Sequence, residues 1–452
     1  MFVGFRLSNS HAVRRLEAKA RQKGEPITLA ELASKHPPPP DAENAAVPLI
    51  ELWEKEDPAF WQAYRLGVRP LPKRKDTKEP KGIPFFEGGP GRLPRSGLLP
   101  RETLTAAENY IKEQTNHLEA VRLALHRPHC SFPIKFTEGI TILVPYLSKL
   151  KTESRRFRIV GALALEHGDV DNAISALEDN LNIANALAEC PLLLDQLVRA
   201  SCLASAVDDT QRLLSHQQLS LVQLARVEML FQKAQMKGAL RLALITERAC
   251  DLSVFDLSPA AFANMVKDPG DTSDTATESG YRFGKGLLNV SGLATADRRF
   301  MLETMEKGIA LADEDSSEAL QKYERLNAQT SEEVLHFPPK IISGMLLPSL
   351  SGAATRLAAV EARRRAALAA IAIERYRLSH QNTLPGNLEA LVPDPLPQLP
   401  IDPFNGHSLQ FHTRTNGFVV YSVGKDRQDD GGKERPEKSA DTNYDETFIV
   451  ER

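Results

Sequence analysis

The fold of the C-terminal part of this chain is decided by the stretch Phe418-Val419-Val420-Tyr421-Ser422-Val423-Gly424-Lys425-Asp426. Its first six residues are aromatic or β-branched apart from one serine, a composition typical of a β-strand. The preceding Asn416-Gly417 is a strong hairpin signal, and Leu409-Gln410-Phe411-His412 alternates like a half-buried strand. The stretch therefore predicts a β-hairpin, and Phe448-Ile449-Val450 predicts a further strand after it.

The residues before the hairpin predict a long helix followed by a turn region. After Pro338-Pro339 the chain is rich in alanine and arginine up to about His380. Apolar residues recur there at helical spacing. Leu384-Pro385 ends this element, because proline biases its predecessor toward an extended backbone. Asp402-Pro403-Phe404-Asn405-Gly406 is a turn, with proline to fix φ and glycine to allow positive φ. The apolar positions of the helix are Leu357, Val360, Leu368, Ile371 and Leu378.

Taken in this order, these elements resemble the globular domain of type II secretion major pseudopilins, in which a long helix is followed by a small antiparallel sheet. They are also similar to the same module fused to long helical bacterial proteins of unknown role. The resemblance covers roughly residues 353–452, about the last fifth of the chain. The sequence segments that carry the resemblance are residues 371–377, 384–385, 388–393, 399–406 and 418–426.

The resemblance implies a calcium site in the loop between the last two strands, where major pseudopilins bind calcium through aspartates and backbone carbonyls. Calcium accepts six to eight oxygen ligands at flexible geometry, and aspartates crowd this loop. By resemblance the ligand role falls on Asp426. Asp441 and Asp445 are rivals for the second acidic ligand, and Ser422 is a further oxygen donor. The alternative interpretation of the same acidic sequence is a solvated turn without a bound ion.

The chain departs from the pseudopilin pattern in three ways. The Asp-Gly that often follows the family's glycine is Asp426-Arg427 here, and residues 433–438 lengthen the loop. The long helix also lacks the Phe-Thr-Leu-Ile-Glu processing signature and the unbroken apolar stretch of a pilin N-terminus. Self-assembly into a pseudopilus is therefore not expected.

Composition is ordinary for a globular protein, with 42% hydrophobic and 25% charged residues among 452. A net charge of −3 gives no global attraction to nucleic acid or to anionic membranes. No stretch reaches the roughly 18 consecutive apolar residues of a membrane-spanning helix, so membrane association is expected only through a segment absent from this chain. The cysteines form no C-x-x-C pair, which argues against a disulfide framework or a zinc site and predicts buried thiols. They are Cys130, Cys190, Cys202 and Cys250.

Periodicity and composition divide the chain before residue 339 into four regions. Residues 1–68 predict an N-terminal helical unit, and residues 69–100 a Pro/Gly/Lys-rich linker. Residues 101–256 predict an irregular antiparallel helical bundle. Residues 257–338 predict a loop-rich helical segment that packs on the bundle.

The predicted fold is mainly α. It ends, over residues 339–452, in the long helix and the small antiparallel-sheet module. Three local signals add detail to this division. Thr28-Leu29-Ala30-Glu31 is a capping box that opens a short helix. Gly168-Asp169 predicts the turn of a helix–turn–helix unit. Gly280, Gly284 and Gly286 are interpreted as loop residues.

Catalytic motifs are not found. The chain contains no phosphate-binding G-x-x-x-x-G-K-[ST], no H-E-x-x-H and no G-x-S-x-G. His126-Arg127-Pro128-His129-Cys130 and Glu166-His167-Gly168-Asp169 are interpreted as helix-end and turn residues. The leading hypothesis is a non-catalytic, envelope-associated structural or interaction protein that binds protein partners and no nucleic acid. The alternatives are a hydrolase with a cleft between the bundle and residues 257–338, or a soluble helix-repeat-like scaffold.

Overall fold

The structure, a computed structural model, describes residues 2–65, 86, 93–266, 275–314, 317–336, 340–347, 350–436 and 443–452. The described helices are α1 (Phe2–Gln22), α2 (Leu29–Lys35), α3 (Ala46–Glu56), α4 (Pro58–Arg65), α5 (Arg101–Leu125), α6 (Pro145–Glu166), α7 (Val170–Ala186), α8 (Leu193–His216), α9 (Leu221–Lys233), α10 (Ala239–Phe255), α11 (Pro259–Val266), α12 (Thr275–Ser291), α13 (Leu293–Leu311), α14 (Ser317–Val334), α15 (Ile341–Leu346) and α16 (Leu350–Ser379). The described strands are β1 (Gln410–Arg414), β2 (Gly417–Ser422) and β3 (Glu446–Glu451). They form one antiparallel sheet in the order β1-β2-β3. This mainly helical fold with a small C-terminal sheet confirms the predicted fold class.

The long helix α16 is the centre of the C-terminal half. Ala366, Ala367, Ala369 and Ala370 are fully buried, and the helix contacts α8, α9, α14, β2 and β3. Because alanine carries only a methyl group, these neighbours approach the helix from several sides. The predicted apolar stripe therefore describes only one of the faces that α16 buries.

The sheet packs its inner face on α16 and α8. Phe418 and Val420 of β2 and Phe448 of β3 share one hydrophobic core with Ile371 of α16. The core therefore extends from the bundle into the C-terminal module, across the region boundary predicted at residue 339.

Side chains of α8 cap the outer edge of β3. Ile449 N donates to Gln211 Oε1 at 2.6 Å, and Glu451 N donates to Ser215 Oγ at 3.1 Å. An edge strand normally presents unpaired N–H groups that invite pairing with another chain. Here two helix side chains supply the acceptors.

The predicted N-terminal unit contributes to two different cores. Helix α1 packs beside α13, and Val13 lies in a core with Met301. Helix α3 instead joins a core with α5 and α6, where Trp53 stacks on Trp61 and on Phe132 with ring centroids 6.1 Å apart in both pairs.

Three local sequence signals are confirmed. Thr28 Oγ1 accepts from Glu31 N at 3.2 Å and Glu31 Oε2 accepts from Thr28 N at 3.3 Å, which is the predicted capping box. Gly168, with a φ of +73°, and Asp169 form the turn between α6 and α7. The predicted hairpin is present, although its turn residues are Thr415 and Asn416, and the glycine after them begins β2.

The loop prediction for Gly280, Gly284 and Gly286 is wrong, because all three lie in α12. A glycine inside a helix costs about 1 kcal/mol relative to alanine, yet tertiary contacts outweigh that local preference. Lys285 of α12 is buried, and its Nζ donates to Val254 O and Phe255 O at 3.3 and 3.2 Å. The predicted loop at 269–274, most of the linker at 69–100 and Pro338-Pro339 lie outside the described residues.

The packing of α16 predicts that Ala370→Leu lowers the free energy of unfolding by about 1–3 kcal/mol, because the added carbons must displace close-packed neighbours. Ala106→Leu is the matched control, since Ala106 is an exposed alanine of α5 and should change stability by less than about 0.5 kcal/mol. Urea denaturation followed by circular dichroism measures both. Equal effects of the two substitutions would contradict the close packing of α16.

Candidate cation site in the C-terminal loop

The candidate cation site lies in the loop between β2 and β3. Ser422 is the last residue of β2, Asp426 lies four residues later, and Asp445 directly precedes β3. Gly424 has a φ of +67°, a conformation that glycine adopts without steric cost, and it turns the chain toward Asp426. Asp441 lies outside the described residues.

Ser422 is fully buried, and its hydroxyl is bound to Asp402. Ser422 Oγ donates to Asp402 Oδ1 at 2.8 Å and accepts from Gly424 N at 3.2 Å. The Asp402 carboxylate also accepts from Phe404 N at 2.8 Å and from Val423 N at 2.9 Å. Asp402 thereby joins its own turn to the end of β2. The sequence predicted that turn but not this link.

Asp445 organises the backbone of the loop from a buried position, with 1% of its surface exposed. Its carboxylate accepts from Gly432 N at 2.8 Å, from Lys433 N at 3.2 Å and from Asp430 N at 3.4 Å. Burial raises the pKa of Asp445 to about 6, and the neighbouring Asp430 charge adds to the rise. The three donors hold the loop in a tight bend around this carboxylate.

Asp426 and Asp430 carry the features that point to a cation. Asp426 Oδ1 accepts from Gln428 N at 3.1 Å. Asp426 Oδ2 and Asp430 Oδ2 are buried and have no hydrogen-bond partner. A buried carboxylate oxygen without a partner is unfavourable, and a divalent cation would compensate for the missing donors.

The donor set fits a hard cation only with additional ligands. Within the described ranges, no three histidine, cysteine, aspartate or glutamate side chains converge closely enough to hold a metal ion. Calcium bound here would take Asp426 and Asp430 as carboxylate ligands and complete its shell with backbone carbonyls and water. Asp430 was not among the predicted ligands. Its place in the Asp-Asp-Gly-Gly run of residues 429–432 is the sequence signal that could have identified it.

The loop is tied by ion pairs to α14 and to the segment before α5. Arg427 Nη2 pairs with Glu324 Oε1 of α14 at 2.7 Å. Glu434 pairs with Arg95, which also pairs with Glu451 of β3 at 3.0 Å. These ion pairs hold the loop at two points, Arg427 and Glu434.

A second candidate site is a cavity of about 630 Å³. It lies between α2, the 3₁₀ turn Phe136–Thr141, α10 and α11. This is the seam between the bundle and residues 257–338 in which the hydrolase alternative places its cleft. Glu138 and Asp256 are its acidic lining residues, and the described residues that line it include no histidine or cysteine.

The other sequence clusters have structural partners. Glu166 binds Arg212 and accepts from Leu99 N at 3.2 Å, while the exposed His167 pairs with Glu108 at 3.1 Å. All four cysteines are free and buried, as predicted. Burial raises the pKa of the Cys130 thiol to about 12, which makes it a poor nucleophile or metal ligand at neutral pH.

Asp195 and Asp251 are buried carboxylates with different surroundings. Asp195 accepts from Tyr146 Oη at 2.7 Å and from Leu192 N at 3.0 Å. Asp251 Oδ2 has no hydrogen-bond partner. Burial raises the pKa of Asp195 to about 6. Burial also raises the pKa of Asp251 well above its ordinary value, and the charge of Glu247 adds to this rise.

Comparison with models of protein families, with curated proteins and with solved structures finds no match to this chain. None of the helices in the described part of the chain is long and apolar enough to span a bilayer.

The pair of buried aspartates predicts unequal effects of the same substitution. The folded state holds a proton on Asp251 at pH values where the unfolded state has lost it, so the contribution of Asp251 to stability falls as the pH rises above about 4. Asp251→Asn should therefore raise stability at pH 7 by roughly 1–3 kcal/mol. Asp195→Asn should raise it less, because Asn offers one acceptor to the two donors Tyr146 Oη and Leu192 N. Urea denaturation between pH 4 and 8 measures both, and an Asp251→Asn protein less stable than the wild type at pH 7 would contradict the prediction.

The hydrogen bonds of Asp402 predict a graded loss of stability. Ser422→Ala removes two hydrogen bonds, one to Asp402 and one from Gly424 N, and should cost about 1–2 kcal/mol, whereas Asp402→Ala removes the acceptor of three donors and should cost about 3 kcal/mol. The double variant should cost less than the sum of the two single substitutions, because both remove the bond between Ser422 and Asp402. Thermal and urea unfolding measure these values. Fully additive effects would contradict the proposed link.

Proposed function

We propose that this chain is a non-catalytic, envelope-associated structural or interaction protein with a calcium-stabilised, pseudopilin-like C-terminal module. The observation that carries the calcium part is the pair of buried oxygens, Asp426 Oδ2 and Asp430 Oδ2, that have no hydrogen-bond donor. The nearby Asp445 carboxylate is repelled by Asp430. A divalent cation among these groups relieves the repulsion and supplies the missing partner.

The surface supports a role in binding other proteins. Phe283, Leu287 and Val290 lie on one face of α12 at spacings of four and three residues and are 74%, 57% and 79% exposed. Apolar side chains in a row on the surface are typical of protein contacts. The partner class that we propose is therefore another protein, and no nucleic acid is involved.

Calcium should stabilise the wild-type protein by about 2.7 kcal/mol at roughly 100 times its dissociation constant. Thermal melting in calcium and in chelator measures the effect, with magnesium at the same concentration as a test of selectivity. The stabilisation should weaken as the pH falls below about 6, because Asp445 then takes up a proton. A melting temperature that responds to neither calcium nor chelator would exclude the calcium site.

Three variants locate the site. Asp426→Asn and Asp430→Asn should each remove most of the calcium response. Asp429→Asn is the matched control from the same loop, because the Asp429 carboxylate already accepts from Tyr421 Oη at 2.9 Å. It should keep most of the response, and loss of the response in all three variants alike would indicate non-specific binding to an acidic loop.

The envelope assignment predicts that the native protein sediments with the cell envelope when the bacterium that makes it is lysed and fractionated. Washing with chelator tests whether calcium contributes to the association. Recovery of the protein in the cytosolic fraction alone would contradict this part of the proposal.

The hydrolase alternative has one observation in its favour, the cavity at the predicted seam. Its Ser253 and Thr141 hydroxyls donate to backbone carbonyls at 2.6 and 2.7 Å. A hydrolytic nucleophile needs a base that accepts its proton, and neither hydroxyl is placed in that way. The chemistry of this cavity favours ligand binding over hydrolysis.

A further inference from the structure

The cavity between α2, α10 and α11 has aliphatic walls. Ile27, Leu29, Ile140, Val254 and Met265 contribute to its lining. Its volume of about 630 Å³ lies within the range of roughly 300–1,000 Å³ that small-molecule sites occupy. A ligand that fills it would bury an apolar body against these side chains.

The charged lining residues of the cavity are both acidic, and two of its hydroxyls already use their protons. The Ser253 and Thr141 hydroxyls use their protons on Cys250 O and Glu138 O, so lone pairs remain for a ligand. Glu138 and Asp256 add carboxylates, and no lysine, arginine or histidine stands among the described lining residues. A ligand that covers these acceptors removes them from water, so a ligand that carries donors is favoured.

The two carboxylates are not equally available. Asp256 Oδ1 is paired with Arg298 Nη1 at 2.7 Å, and Arg298 is also bound to Glu17 at 2.9 Å. The ion pair between Glu138 and Lys135 is longer, 3.9 Å, beyond hydrogen-bond distance. Glu138 is therefore the carboxylate that can take a new cation.

We propose that this cavity binds a small amphiphile with an aliphatic body and a protonated amine. The body lies against the aliphatic walls, and the ammonium group donates to Glu138. An anionic amphiphile of the same length would bring a further negative charge beside Glu138 and Asp256. This site is separate from the calcium loop, so the proposal does not depend on calcium binding.

The test compares three eight-carbon probes on the full chain at pH 7. Octylamine, octanol and octanoate are titrated by isothermal calorimetry below the concentrations at which they aggregate. Octylamine should bind saturably and at least tenfold more tightly than the other two. Glu138→Gln should weaken octylamine binding about tenfold, while Glu332→Gln, which changes a remote carboxylate 75% exposed, should leave it unchanged.

A second pair of variants tests whether the ligand occupies the cavity. Ala261 lines the cavity and Ala260, its neighbour on α11, does not. Ala261→Trp should abolish octylamine binding, and Ala260→Trp should preserve it. Circular dichroism checks that each variant is folded, and if Ala261→Trp is not, the Glu138→Gln result decides alone.

Two outcomes would overturn the proposal. The assignment of an amine ligand would be wrong if octanoate or octanol bound as tightly as octylamine. It would also be wrong if Glu138→Gln kept full octylamine binding. Absence of saturable binding by all three probes would show that the cavity is no site for this class of ligand. Neither outcome bears on the calcium titration, so the failure of one proposal can be told from the failure of the other.

Discussion

The close packing around α16 is the constraint on which the C-terminal half depends. The first half of this helix places Ala354 and Ala362 in the core formed with α13 and α14. The second half places Ala366 and Ala370 in the core formed with α8, α9 and the sheet. A single helix thus belongs to two cores, and its small side chains let helices and strands contact it together. A larger residue at any of these positions would displace elements of the core that it faces.

Buried charges add specificity to this packing. Arg248 is fully buried, and its Nη1 lies 2.9 Å from Glu25 Oε2 and also pairs with Glu306. This cluster joins the segment after α1 to α10 and α13. Glu153, also fully buried, accepts from Trp53 Nε1 and His117 Nε2 at 3.0 Å. Removing one member of such a cluster leaves the others buried without a partner, so each cluster favours one arrangement of its helices.

Much of the local structure was predictable because its causes are local. The hairpin follows from alternation and a turn signal within 20 residues, and the helix cap at Thr28 from a four-residue motif. The helix α12 was not predictable in this way. Its glycines disfavour a helix on their own. The helix depends on contacts outside itself, since it packs on α11 and α13 and its buried Lys285 donates to carbonyls at the end of α10 about thirty residues earlier.

The hydrogen bonds of the candidate site were not predictable from the sequence. The crowded aspartates single out the loop, and the cation site there stays a prediction, because which carboxylate oxygen lacks a donor depends on the path of the backbone. Asp445 accepts three N–H groups because the loop bends around it, whereas Asp430 Oδ2 is left without a donor. Asp402 binds Ser422 from a turn twenty residues away. No local pattern specifies such a contact.

The capping of β3 by α8 has a consequence for how the protein is made. Gln211 and Ile449 are separated by 238 residues, so α8 leaves the ribosome long before the strand that it caps. Until β3 emerges, the acceptor on α8 and the edge of β2 both lack their partner. This part of the core therefore closes only after β3 is made, and a chain cut short before β3 keeps an open β-edge beside an incomplete core.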